Sequence, residues 1–109
     1  MPRSLDAEPG KRPASQFYWG DWLRDPALAS TSLAAQGLWM RLLCHMFASP
    51  SPGYLRHSTG KPISPAQMAR LAGISPPEVD PLLLELEDAG VSSRAEDGSL
   101  FCRRMARDE

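Results

Sequence analysis

A chain of 109 residues, 42% hydrophobic and 23% charged, holds the material for one small domain with one core and leaves none for a second. Its formal net charge of −1 excludes the broad excess of Lys and Arg that marks most nucleic-acid-binding domains, so any such binding must rest on uneven charge. No apolar run approaches the roughly 18 residues of a membrane span and no signal-peptide pattern opens the chain, so a cytoplasmic protein with no membrane partner is expected.

Residues 1–15 contain Pro2, Pro9, Gly10 and Pro13 but only one large aliphatic, Leu5, too little apolar area to offset chain entropy. They are expected to form a disordered tail, with the folded domain spanning residues 16–109. The run Phe17-Tyr18-Trp19-Gly20-Asp21-Trp22-Leu23 opens that domain as an aromatic N-terminal arm. Its rings are expected to pack across the domain, since Trp and Tyr contribute large buried areas. The alternative, a stacking platform for single-stranded nucleic acid, lacks interleaved Lys or Arg before Arg24.

Ser32 is placed to cap a helix over about residues 33–47, in which Leu38, Trp39, Leu42, Leu43, Met46 and Phe47 recur at spacings of three and four. Gly37, Arg41 and His45 fall on its solvated face. The turn residues Ser49-Pro50-Ser51-Pro52-Gly53 end it, and Tyr54-Leu55-Arg56 is long enough for one short strand. Two helix starts follow in close succession. Ser64, Pro65 and Gln67 make one capping box, and Ser75, Pro76 and Glu78 make the next. Only Gly73, Ile74 and Ser75 separate the two helices, a helix-turn-helix spacing with Ile74 at the corner. Gly90 ends the second helix. Val91 to Ala95 and Leu100 to Arg103 then read as strands joined through Asp97-Gly98, a hairpin signal.

The expected fold is therefore mainly α with a small β-sheet, a winged helix-turn-helix in the order helix, strand, helix, helix, β-hairpin. Tyr54-Leu55 would be the third strand of its sheet.

Cys44, His45, His57 and Cys102 match a two-Cys, two-His zinc set by count. Adjacent helical residues point about 100° apart, however, so Cys44 and His45 face one ion poorly, and both cysteines read better as small core hydrophobes. No Gly-rich phosphate loop, paired carboxylate or nucleophile signature is present, so neither catalysis, a cofactor nor a small-molecule substrate is expected.

Charge is distributed unevenly. From Ser64 to Ser93 the sole basic residue is Arg70, against Glu78, Asp80, Glu85, Glu87 and Asp88. In the second helix of the pair Val79, Leu82, Leu83 and Leu86 form the core stripe, leaving Pro77, Asp80, Pro81, Leu84, Glu85, Glu87 and Asp88 outward. That face carries none of the Arg, Lys, Asn or Gln side chains that read base edges, and its carboxylates would meet the phosphate field unfavourably. It suits a protein partner or a second copy better, with Leu84 between Pro77, Pro81 and Asp88 as the apolar contact. Pro81 also removes one helical hydrogen bond, so the helix is expected to kink or to restart at Asp80-Pro81. The basic residues Arg94, Arg103, Arg104 and Arg107 lie on the wing and its exit, and Arg56, His57 and Lys61, beside the wing if Tyr54-Leu55 pairs with it, would extend the same edge. This is the candidate DNA contact. Its alternative is a solvated face partly neutralised by Glu96, Asp97, Asp108 and Glu109.

Tyr18-Trp19-Gly20-Asp21-Trp22-Leu23, Ala35-Gln36-Gly37-Leu38-Trp39 with Leu42-Leu43, Gly53-Tyr54-Leu55, Leu71-Ala72-Gly73, and Asp97-Gly98 followed by Arg103-Arg104-Met105 occur in that order. Together they resemble the N-terminal winged-helix domain of phage and prophage replication-initiation proteins, the replisome organisers, which are distantly similar to DnaD-type primosome domains. The resemblance covers residues 17–109. It implies a non-enzymatic role at a replication origin: binding DNA, forming homo-oligomers, or contacting the replicative helicase or its loader.

Overall fold

The computed structural model describes residues 16–108, so the expected tail over residues 1–15 lies outside the described residues. The described chain runs through α1 (Trp19–Arg24), α2 (Pro26–Ala29), α3 (Leu33–Ala48), α4 (Pro65–Ala72), α5 (Pro76–Asp88), β1 (Ser93–Arg94), β2 (Leu100–Phe101) and α6 (Arg103–Asp108). It is mainly helical with a small two-stranded antiparallel sheet.

Local chemistry accounts for most of these boundaries. The Ser32 hydroxyl accepts the Ala35 amide at 3.1 Å and starts α3. At α4 the Gln67 amide donates to the Ser64 hydroxyl at 3.2 Å, while the Gln67 side-chain carbonyl accepts the Ser64 amide at 2.9 Å. At α5 the Glu78 carboxylate accepts both the Ser75 amide, at 2.9 Å, and the Ser75 hydroxyl, at 2.7 Å. Between them Gly73 adopts a left-handed φ of 77°, which lets the Ile74 amide reach back to the Ala69 carbonyl at 3.0 Å. The chain thus turns within three residues, and Ile74 packs against the core.

Pro81 neither ends nor restarts α5, which runs unbroken from Pro76 to Asp88. The ring removes one donor to the Pro77 carbonyl, but Pro77 and Pro81 lie on the exposed face, where water can take that hydrogen bond.

α3 packs against both α4 and α5. Ala35, Leu38, Trp39, Leu42 and Met46 meet Met68 and Ala69 from α4 and Val79, Leu83 and Leu86 from α5 in one buried cluster. Leu55 and Leu100 close it from the sheet side. Cys102 is half-buried against this core, whereas Cys44 is exposed, contrary to the expectation that both thiols are core hydrophobes. Cys44 falls between the buried positions Leu42 and Met46, so the helical period turns it outward.

The sheet is smaller than expected. β1 and β2 pair with Ser93 opposite Phe101 and Arg94 opposite Leu100. The Tyr54 segment lies along β2, with the Leu55 amide donating to the Leu100 carbonyl at 2.8 Å, yet only an isolated bridge joins Tyr54 to Phe101. No third strand forms among the described residues. The segment folds back immediately through residues 58–60 and bridges Arg56 to Pro62, the His57 amide donating to the Lys61 carbonyl at 2.8 Å and the Ile63 amide to the Leu55 carbonyl at 3.3 Å, so the chain leaves β2 after Leu55.

Two further corrections concern the ends. The aromatic run is helical from Trp19 and is followed by the single turn of α2, for which the Asp25 carboxylate accepts the Ala27 and Leu28 amides. The second strand stops at Phe101, and Arg103 begins α6 rather than ending a strand. Gly53 makes room for that helix: a Cβ there would stand 2.5 Å from the Ala106 amide nitrogen, and its φ is 96°.

Candidate functional site

The candidate DNA-contact residues fall into two groups at opposite ends of the hairpin. Arg56 and Arg94 serve its turn end. The Arg56 guanidinium donates to the Ser99 hydroxyl at 3.0 Å, pairs with Asp97 at 3.2 Å, and lies 4.5 Å over the Tyr54 ring. Tyr54 in turn stacks on Phe101 at 4.9 Å. Arg56 is therefore half-buried and spends its donors on holding the turn. Hydrogen bonds from Ser99, the amide first, and then the Arg56 charge hold the Asp97 carboxyl below the usual carboxylate range. Arg94 is exposed and donates to the Gly98 carbonyl at 3.2 Å. Lys61 is exposed on the loop between Arg56 and Pro62.

Arg103, Arg104 and Arg107 form the second group, exposed on α6. Arg103 reaches the Gly90 carbonyl at 3.4 Å, and Arg104 pairs with Asp21 of α1 at 2.9 Å with both side chains about half exposed. Each of these two bonds occupies few of the five donors a guanidinium carries. The half-buried Met105 and Ala106 face inward and fix the side on which α6 presents its arginines.

These arginines border an open groove of about 1240 Å³ between α1, α3 and α6. Its apolar lining includes Trp22, Leu28, Trp39, Leu43, Phe47 and Met105. The expectation that the aromatic run packs across the domain is met only by Trp22, which lies against the core. Trp19 and Leu23 are 77% and 76% exposed, one helical turn apart on α1. Phe17 covers Trp19 edge-on at 4.7 Å and lies 5.8 Å from Trp22.

The outward face of α5 presents Pro77, Asp80, Pro81, Leu84 and Asp88 to solvent, with Leu84 57% exposed. Glu85 departs from this set. Its carboxylate accepts the Ser32 amide and, at 2.9 Å, the Ser32 hydroxyl, and so ties α5 to the N-terminus of α3. No sequence signal links residues so far apart. α6 had a readable signal, since Arg103-Arg104-Met105-Ala106-Arg107 are all good helix formers, and the hairpin pattern overrode it.

Among the described residues no three His, Cys, Asp or Glu side chains converge as a metal-binding group, and no helix is long and apolar enough to cross a membrane. Comparison of the chain with protein-family models, curated proteins and solved structures returns no match.

Proposed function

We propose that the chain is a non-enzymatic winged-helix domain that binds DNA in phage, prophage or plasmid-type replication initiation, through its hairpin and α6 rather than through its second helix. One observation carries this reading: four exposed arginines, Arg94 on the hairpin and Arg103, Arg104 and Arg107 on α6, follow one another within 14 residues, with Arg24, Arg41 and Arg70 exposed singly on other helices, while α5, in the position of a recognition helix, bears five carboxylates and no cation. The paired capping boxes and three-residue turn support the winged-helix assignment, with the Tyr54 segment as a reduced third strand. The motif resemblance supports the replication role. Contacts of this kind neutralise phosphates without reading bases, so affinity for all sequences should fall steeply as salt rises.

An electrophoretic shift at two salt concentrations tests it. R103A combined with R104A is expected to weaken binding uniformly across sequences and to flatten the salt slope by about two phosphate contacts. Absence of binding at low salt, or binding indifferent to salt, would overturn the proposal.

A second reading, a protein-interaction module contacting a helicase, a loader or another copy, is favoured by the exposure of Leu84 among carboxylates. Glu85 has no part in it, because it is engaged with Ser32.

A further inference from the structure

The two surfaces left open by the fold are opposite in charge. On α5, Asp80, Glu87 and Asp88 surround Leu84 and share the helix with no Lys or Arg. The Ser32–Glu85 hydrogen bonds bring the start of α3 against α5, where Leu33, next to Ser32, is a further apolar residue, 84% exposed. The groove between α1, α3 and α6 has the reverse design. Its floor is apolar, with Trp22, Leu43 and Met105, and its lining carries three arginines, Arg103, Arg104 and Arg107, against two carboxylates, Asp21, which pairs with Arg104, and Asp25, which caps α2; Arg103 and Arg104 keep unused donors.

We propose that the chain self-associates head to tail, the acidic face of α5 in one copy seating Leu84 in the arginine-rimmed groove of the next. Charge complementarity selects the occupant. A symmetric contact between two α5 faces would set carboxylates against carboxylates, whereas α5 against the groove sets them against guanidinium groups with open donors. Both halves of the pair belong to this one chain, so a second copy supplies everything the contact needs. Because the joined surfaces differ, each copy keeps one free donor face and one free groove, and association proceeds beyond a dimer unless the rotation closes a ring. The proposal does not depend on DNA binding and is tested without DNA.

The test is sedimentation velocity on the full chain at concentrations up to about 100 μM, where micromolar contacts register. Wild type is expected to form concentration-dependent oligomers that dissolve as salt shortens the Debye length from about 10 Å at 0.1 M to about 3 Å at 1 M. D80K with D88K, and separately R103E with R104E, should each be monomeric, with circular dichroism matching wild type. Mixed in equal amounts, the two variants should form a dimer and nothing larger, since one retains only the groove and the other only the acidic face. L84R, which keeps its groove, should likewise pair with the arginine variant, whereas L84R mixed with the lysine variant should form no dimer. The proposal is overturned by a wild type that stays monomeric, by an arginine variant that still oligomerises, or by a mixture that stays monomeric. Should a lysine variant fail to fold, the L84R chain, whose change is at an exposed position, replaces it in the mixing experiment.

Discussion

Glu78 shows how one exposed side chain can matter to the fold. The Ser75 hydroxyl and then the Ser75 amide hydrogen-bond its carboxylate and lower its pKa, so the ionised form is favoured in the folded chain. A group whose folded pKa lies below its unfolded one stabilises fully above the unfolded value, about 4 for a carboxylate, and loses that contribution as the pH falls through the folded value. E78Q retains a cap acceptor without the charge. Its melting temperature is therefore expected to lie below wild type at neutral pH, with the gap closing on acidification below about pH 4. A gap independent of pH would assign the effect to shape rather than charge. Asp97 acts in the same direction at the hairpin turn, where the Ser99 amide donates to it at 2.9 Å.

At the level of elements, the α3–α5 pair is held by more than its buried stripe. Ser32 has two roles: its hydroxyl accepts the Ala35 amide as the α3 cap and donates to Glu85. Loss of a serine cap typically costs about 1 kcal/mol, and S32A also strips one donor from the carboxylate. E85A removes the acceptor for both Ser32 groups. Because the two residues share their hydrogen bonds, the double variant should be less destabilised than the sum of the singles, by about 0.5–3 kcal/mol in denaturant titrations. Strict additivity would mean that the hydrogen bond from the Ser32 hydroxyl to Glu85 carries no energy. The hairpin illustrates a different balance, since Asp97-Gly98 set its turn while the fold-back of the chain after Leu55 limited its sheet and the close approach at Gly53 admitted α6.

For the whole molecule, the proposed DNA contact and the proposed self-association share Arg103 and Arg104. One copy cannot offer both guanidinium groups to phosphate and to a neighbour's carboxylates at once. Adding duplex DNA at low salt is therefore expected to dissolve head-to-tail oligomers, read as a fall in sedimentation coefficient of the protein-only species, and D80K with D88K should bind DNA at least as tightly as wild type. Oligomers that persist on saturating DNA would separate the two surfaces.

The helices α3, α4 and α5, their caps, the core stripe of α5 and the site of the hairpin turn were legible in the sequence. All rest on interactions within a few residues, which spacing encodes directly: Ser64 with Gln67, Ser75 with Glu78, Leu83 with Leu86. Residue types likewise disclosed that α5 is acidic and that arginines crowd the chain after Gly98. What the sequence left open was decided between distant segments. Cys44 fell outside the core, Trp22 alone of the aromatic run packed inward, Glu85 found Ser32, and Arg56 was drawn into the hairpin turn by Asp97, Ser99 and Tyr54. Pairings of that kind depend on which faces meet when α3 packs on α4 and α5, and no local period or cap records them. The tertiary structure alone therefore separated the arginines that hold the fold from those left at the groove.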